Sequence, residues 1–92
     1  MKVVHCKKEK YTVYIGRPSK LGNPFTIGKD GTREQVVIKY KHYAVNNPHI
    51  LRNISQLKED DILACWCAPE DCHGNAIMEI WESIQNGDLS KL

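Results

Sequence analysis

The segment Ile62-Leu63-Ala64-Cys65-Trp66-Cys67 constrains this chain more than any other. It is a continuous apolar run that begins directly after the acidic Glu59-Asp60-Asp61, and Pro69 breaks it shortly afterwards. A strand with one wet face alternates apolar and polar side chains, whereas a strand without alternation is covered on both faces. The run therefore predicts a central strand over residues 62–67. With 92 residues and a hydrophobic content of 41%, there is room for one modest core and one domain, residues 1–92. The remaining elements must gather around that strand.

Residues 2–6 (KVVHC) and 11–15 (YTVYI) read as short strands, the second with Tyr11, Val13 and Ile15 alternating. The KKEK between them suits a hairpin loop, although it lacks the glycine that would fix a turn type. Residues 16–31 (GRPSKLGNPFTIGKDG) carry four Gly and two Pro and fit no periodic element; a loop this long in a small domain usually serves function. Thr32 and Gln35 form a capping-box pattern for a helix over 32–45, with Val36, Val37, Tyr40, Tyr43 and Ala44 on one face. Asn47-Pro48 opens a second, shorter helix whose Ile50, Leu51, Ile54 and Leu57 share a face. Asp71 is placed to cap a last helix with an Ala76, Ile77, Ile80, Trp81, Ile84 stripe, stopped by Asn86-Gly87. The order β-β-α-α-β-α makes an α/β domain, a short sheet of about three strands packed by helices.

The net charge of +2 conceals an asymmetry. Residues 1–45 hold ten Lys or Arg against three acids, and residues 46–92 hold three against eight. The first half reads as an anion-facing surface. The chain starts at Met1 with no signal peptide and no apolar run long enough to span a bilayer, so we expect a cytoplasmic protein without membrane contact. In that compartment thiols stay reduced, which disfavours a disulfide framework for the four cysteines.

Three of those cysteines and a histidine fall in the stretch CWCAPEDCHG, residues 65–74. The strand period puts Cys65 and Cys67 on one face with Trp66 opposite. Cys72 and His73 then fall in the first turn of the last helix. A strand end leading into a helix start favours anions, and the free N–H groups there lower a thiol pKa. Cys72 is thus the cysteine expected to be most thiolate-like, with His73 beside it as the other catalytic candidate. A zinc set of Cys67, Cys72 and His73 has near-acceptable spacing. Against it, residues i and i+2 of a strand lie roughly 6.5 Å apart, and adjacent helical residues point different ways. Cys65 alone reads as a small buried hydrophobe.

The other candidate is the loop GRPSKLGNPF. Arg17 and Lys20 bracket Pro18-Ser19, and Gly22-Asn23-Pro24 forces a second bend. Backbone N–H groups at Gly16 and Gly22 with two bases make an anion cradle. It is not a Walker A loop: the spacing from Gly22 to Gly28-Lys29 is one residue too long, and Asp30 stands where Ser or Thr binds magnesium. The loop runs through GKDGT into the helix start at Thr32. Two helix starts, near Thr32 and Cys72, are thus expected to converge on one anion.

With GRPSKLGNPF and CWCAPEDCHG in view, nearly the whole chain resembles domain of unknown function 4326, a small family of bacteria and phages. The matching features are the I-G-R-P-S-K-x-G-N-P-F loop, the G-x-D-G-T-R-E-x-V helix start and the C-W-C-A-P-x-x-C-H-G ending. Family members often carry Trp where this chain has Leu21 and an acid where it has Asn75. The resemblance implies membership and no particular reaction. GKDGTREQ is also similar to the G-G-x-G-T-x-x-E phosphate loop of lysine-decarboxylase-like nucleotide phosphoribohydrolases. There the glutamate performs the chemistry; Gln35 takes its place here, which favours binding a nucleotide over hydrolysing one.

Three functional readings follow. The leading one is a nucleotide-type or other phosphate-containing ligand held between the basic loop and the Cys-His junction. It uses Gly16, Arg17, Ser19, Lys20, Gly22, Asn23, Thr32 and Cys67 for binding, with Cys72 and His73 acting on the ligand or polarising it. The others are a zinc-stabilised interaction module and a nucleic-acid binder that stacks bases on Tyr11, Tyr14 and Tyr40. A pI near 8.4 is below the strongly basic range of dedicated nucleic-acid binders.

Overall fold

The computed structural model describes residues 1–67 and 72–87. Strand β3 (Ile62–Cys65) is central, with β1 (Lys2–His5) on one side and β2 (Val13–Tyr14) on the other, in the order β1-β3-β2. Both neighbours run parallel to it: Val4 lies opposite Ala64 on one edge and Tyr14 opposite Ala64 on the other. The apolar run behaves as its composition demands, with Leu63, Ala64 and Cys65 all buried. The strand stops at Cys65; Trp66 is 57% exposed, so the run ends sooner than its hydrophobicity predicted.

The expected hairpin does not form. Strands β1 and β2 never pair with each other. Residues 6–9 turn back instead, with the Lys8 and Glu9 N–H groups donating to the His5 carbonyl. The physical reason lies in β3, whose two buried faces and two edges need a neighbour on each side. Inserting β3 between β1 and β2 fills both edges, and no Asn-Gly or Gly-Gly pair locks the 7–10 loop into a tight hairpin. Thr12 and Ile15 N–H groups extend the β2 ladder to the Ile62 and Ala64 carbonyls.

Helix α1 (Arg33–Val45) begins with the full capping box: Thr32 Oγ1 accepts the Gln35 N–H and Gln35 Oε1 accepts the Thr32 N–H. Helix α2 (Pro48–Ser55) is capped by Asn47, and helix α3 (His73–Gln85) ends at Asn86 before Gly87 at φ +70°. The cap of α3 is Cys72, whose sulfur accepts the Gly74 N–H. Asp71, expected in that role, lies outside the described residues, as does Pro69. Helix α3 lies on β1 and β3, while α1 and α2 pack against α3 and each other. Tyr40, Ile54, Leu63, Ile77 and Ile80 are fully buried in one core; each large apolar side chain removed from water in this way contributes about 1.5–3 kcal/mol.

Two close approaches fix where α3 starts. A Cβ on Gly74 would lie 2.7 Å from Val3 Cγ2 and 3.0 Å from Ile15 Cδ1, so only glycine lets the first turn sit on the sheet. His73 points inward from the same turn, and its Nε2 donates to the Ile15 carbonyl at 2.7 Å. The end of β2 is thereby tied to α3.

Candidate functional site

All three strands are parallel, so their carboxyl ends lie at one end of the sheet. That is where open α/β sheets bind ligands. A cleft of about 240 Å³ opens there. Gly16 and Arg17 enter it from the end of β2, Cys65, Trp66 and Cys67 from the end of β3, Cys72 and His73 from the start of α3, and Arg33 from the start of α1. Asn23, Phe25, Thr26 and Ile27 close it from the glycine-rich loop. The loop and the CWC…CHG ending thus meet in one cavity, although they are about fifty residues apart in sequence.

The loop is built to hold its shape. Asn23 is occupied at both ends of its amide: Nδ2 donates to the Val36 carbonyl and Oδ1 accepts the Phe25 N–H. Asp30 accepts the Thr26 N–H, and the Gly28 N–H donates to the Gly31 carbonyl. Gly28 and Gly31 have φ of +92° and +139°, values that only glycine adopts without strain. Tyr40 donates its hydroxyl to the Leu21 carbonyl from the core. Arg17 Nη1 donates to Thr26 Oγ1, which ties the guanidinium to another residue of the cleft wall.

The sequence candidates divide. Gly16, Arg17, Asn23, Cys67, Cys72 and His73 line the cleft; Ser19, Lys20, Gly22 and Thr32 do not. Ser19 and Lys20 face a separate hollow with Asn53, Gln56 and Asp61, and among the described residues the buried Ser19 Oγ has no hydrogen-bond partner. Gly22 serves the loop: its N–H donates to the Ser19 carbonyl, and a Cβ there would crowd Ser19 and Arg17. Thr32 is exposed, and its hydroxyl is spent on the cap. The next residue, Arg33, reaches the cleft instead. Its signal in the sequence was a base in the first helical turn after GT. Trp66 was readable as the odd residue between Cys65 and Cys67. Leu21 is buried in the core, whereas Asn75 is exposed and is not part of the cleft wall. Tyr40, expected to stack on bases, is fully buried.

The expected activation of Cys72 is reversed. Cys72 is buried with its sulfur 3.2 Å from that of Cys65. That hydrogen bond and desolvation push the thiol well above the ordinary range, and the Gly74 N–H opposes them only in part. A helix start lowers a thiol pKa where the thiolate is also solvated; here burial beside a second thiol outweighs it. His73 is held below its usual 6.5 chiefly by burial, with Arg17 adding to the effect against the pull of the Ile15 and Leu21 carbonyls. It is therefore neutral at pH 7, and its Nε2 proton is committed to Ile15. Among the described residues the Cys72 sulfur bonds to Cys65 and to the Gly74 N–H while His73 Nε2 bonds to the Ile15 carbonyl, so the two side chains are not arranged as a nucleophile–base pair. Among the described residues no group of three or more His, Cys, Asp and Glu is placed to hold a metal ion, and no helix is long and apolar enough to cross a membrane.

The family described as Domain of unknown function (DUF4326) matches residues 2–83, which include every element from β1 into α3. This chain belongs to that family. An uncharacterized protein of Acanthamoeba polyphaga mimivirus is 33% identical over 95 residues, covering 84% of this chain and 72% of its own length. No solved structure matches. The matched residues include the glycine-rich loop, the start of α1 and the Cys-His ending, which together line the cleft.

Proposed function

We propose that this member of DUF4326 binds a single phosphate-containing ligand, of mononucleotide type, in the cleft at the carboxyl ends of β2 and β3. The observation that carries the reading is the pairing of Arg17 and Arg33 in one cavity, at a strand end and a helix start respectively. Guanidinium groups recognise phosphate oxygens through paired N–H donors. Of the five N–H donors on Arg17, the bond to Thr26 engages one and orients the rest. The α1 helix start adds partial positive charge on the same side. Trp66 stands at the mouth with its Nε1 donating to Tyr14 Oη at 2.9 Å and the His5 ring edge-on to it. Lys7 Nζ lies over the ring, 5.5 Å from its centroid, and a base would stack on the exposed indole beside that charge. The volume, about 240 Å³, lies under the range for drug-sized ligands and so suits one nucleotide rather than a dinucleotide.

Binding without turnover fits the wall better than catalysis does, because both Cys72 and His73 are committed to packing and internal hydrogen bonds. The test is calorimetric titration with inorganic phosphate and with nucleoside mono-, di- and triphosphates. Arg17→Ala and Arg33→Ala are each expected to weaken the best ligand at least about tenfold, the loss of one charge-assisted contact. Trp66→Ala is expected to weaken nucleotides while leaving phosphate unchanged. Wild-type affinity in both arginine variants would remove the cleft from the binding site.

A further inference from the structure

We propose that Cys65 and Cys72 are an oxidisable dithiol that closes to a disulfide when a hydroperoxide enters the cleft. Neither is joined in a disulfide. Both are buried, and their sulfurs lie 3.2 Å apart across the junction between the end of β3 and the cap of α3. The two positions are fixed independently. Cys65 is held by its pairing opposite His5 in the sheet. Cys72 is held by the Gly74 N–H and by the close seating of Gly74 on Val3 and Ile15. A disulfide requires an S–S distance of about 2.05 Å, so closure draws the sulfurs together by roughly 1 Å and leaves both elements in place. Cys67 also lines the cleft but lies beyond the strand, and Cys6 follows β1, where its N–H donates to the Cys65 carbonyl.

The step balances with hydrogen peroxide as oxidant. One thiolate attacks the O–O bond, takes one oxygen as a sulfenic acid and releases hydroxide, which accepts the proton that the thiol gave up. The second sulfur displaces the sulfenic hydroxyl, which leaves as water with the second thiol's proton. Two S–H bonds and one O–O bond break, one S–S bond forms, and peroxide is reduced by two electrons to two waters. Both cysteines belong to the cleft wall, so closure changes it. Because the thiolate is the nucleophile and Cys72 is held protonated by its hydrogen bond with Cys65 and by burial, closure is slow at neutral pH and quickens as pH rises through and beyond the ordinary thiol range. The proposal does not depend on the phosphate reading.

The test is treatment of the full chain with hydrogen peroxide across pH, followed by alkylation, digestion and mass spectrometry. The expected result is a peptide pair joined through Cys65 and Cys72, lighter by two hydrogens, restored by dithiothreitol, and formed faster at higher pH. A rise in melting midpoint on the order of 10 °C should accompany it, as expected for a short closed loop. Cys67→Ser should form the same cross-link, and Cys72→Ala should not form it. Joining of Cys72 to Cys67, a cross-link between two chains, or Cys65 and Cys72 both remaining alkylatable would overturn the proposal.

Discussion

Helices α1 and α3 both begin with a side chain that accepts a backbone N–H, Thr32 in one and Cys72 in the other. In α1 the cap is exposed, fully reciprocated by Gln35, and followed by Arg33 at the cleft. In α3 the cap is buried sulfur, followed by a buried neutral histidine and a glycine pressed onto the sheet. By sequence the two starts looked equivalent, two positive helix ends aimed at one anion. In the fold, α1 keeps its donors near solvent and charge, while α3 has been turned into core. A helix terminus attracts an anion only where its surroundings leave the charge unburied.

The largest test of this contrast is His73→Ala. It removes the donor to the Ile15 carbonyl and opens a cavity beside Tyr40, whose ring lies 5.0 Å away. We expect a loss of about 2–4 kcal/mol, measured by urea unfolding; a loss under about 1 kcal/mol would deny α3 its role as core. The wild-type pH dependence follows from the same group. Its folded pKa lies below the unfolded 6.5, so the unfolded chain binds more protons. The contribution of neutral His73 is complete above pH 6.5 and is lost as pH falls from there through the folded value. In His73→Ala that segment of the stability curve should flatten.

Gly74→Ala comes next. Its methyl meets two branched side chains of the sheet at 2.7–3.0 Å, and overpacking of this kind costs about 1–3 kcal/mol. An unchanged or raised melting point would mean that α3 is free to shift. Thr32→Ala tests the opposite end of the comparison: loss of the capping box should cost about 1 kcal/mol, a drop of roughly 4–8 °C for a domain of this size. Its ligand affinity should stay as in wild type, because the threonine hydroxyl serves the helix and not the cleft. The smallest effect is expected from the Lys41–Glu79 pair that links α1 to α3 at 2.9 Å, with Glu79 largely exposed. A double-mutant cycle should return no more than about 0.5 kcal/mol.

Much of this architecture was legible because local chemistry and tertiary demand agree. The unbroken run from Ile62 named the central strand, the Thr32–Gln35 box and Asn47-Pro48 named two helix starts, and Asn86-Gly87 named the last helix end. Strand pairing was not legible. Whether β1 and β2 lie side by side or flank β3 depends on filling both edges of β3, and no local spacing records that. At the cleft, the two segments that meet were recognisable by their glycines and cysteines. Which side chains point into it was not, because burial decides. Lys20 and Thr32 are turned aside and Arg33 is turned in by the direction of a loop and a helix. The sign of the Cys72 shift depended on Cys65, seven positions away in sequence but in contact in space.

The most direct measurement of the central claim is a two-dimensional ¹⁵N NMR titration of the uniformly labelled protein with its best phosphate-containing ligand. The account predicts that the largest shifts fall on the Gly16, Arg17 and Thr26 amides, the Arg33 side chain and the Trp66 indole N–H. The Trp81 indole, held by the Leu57 carbonyl behind α3, should stay still. Shifts centred instead on Ser19, Lys20, Asn53 and Gln56 would move the site to the other hollow and contradict the account.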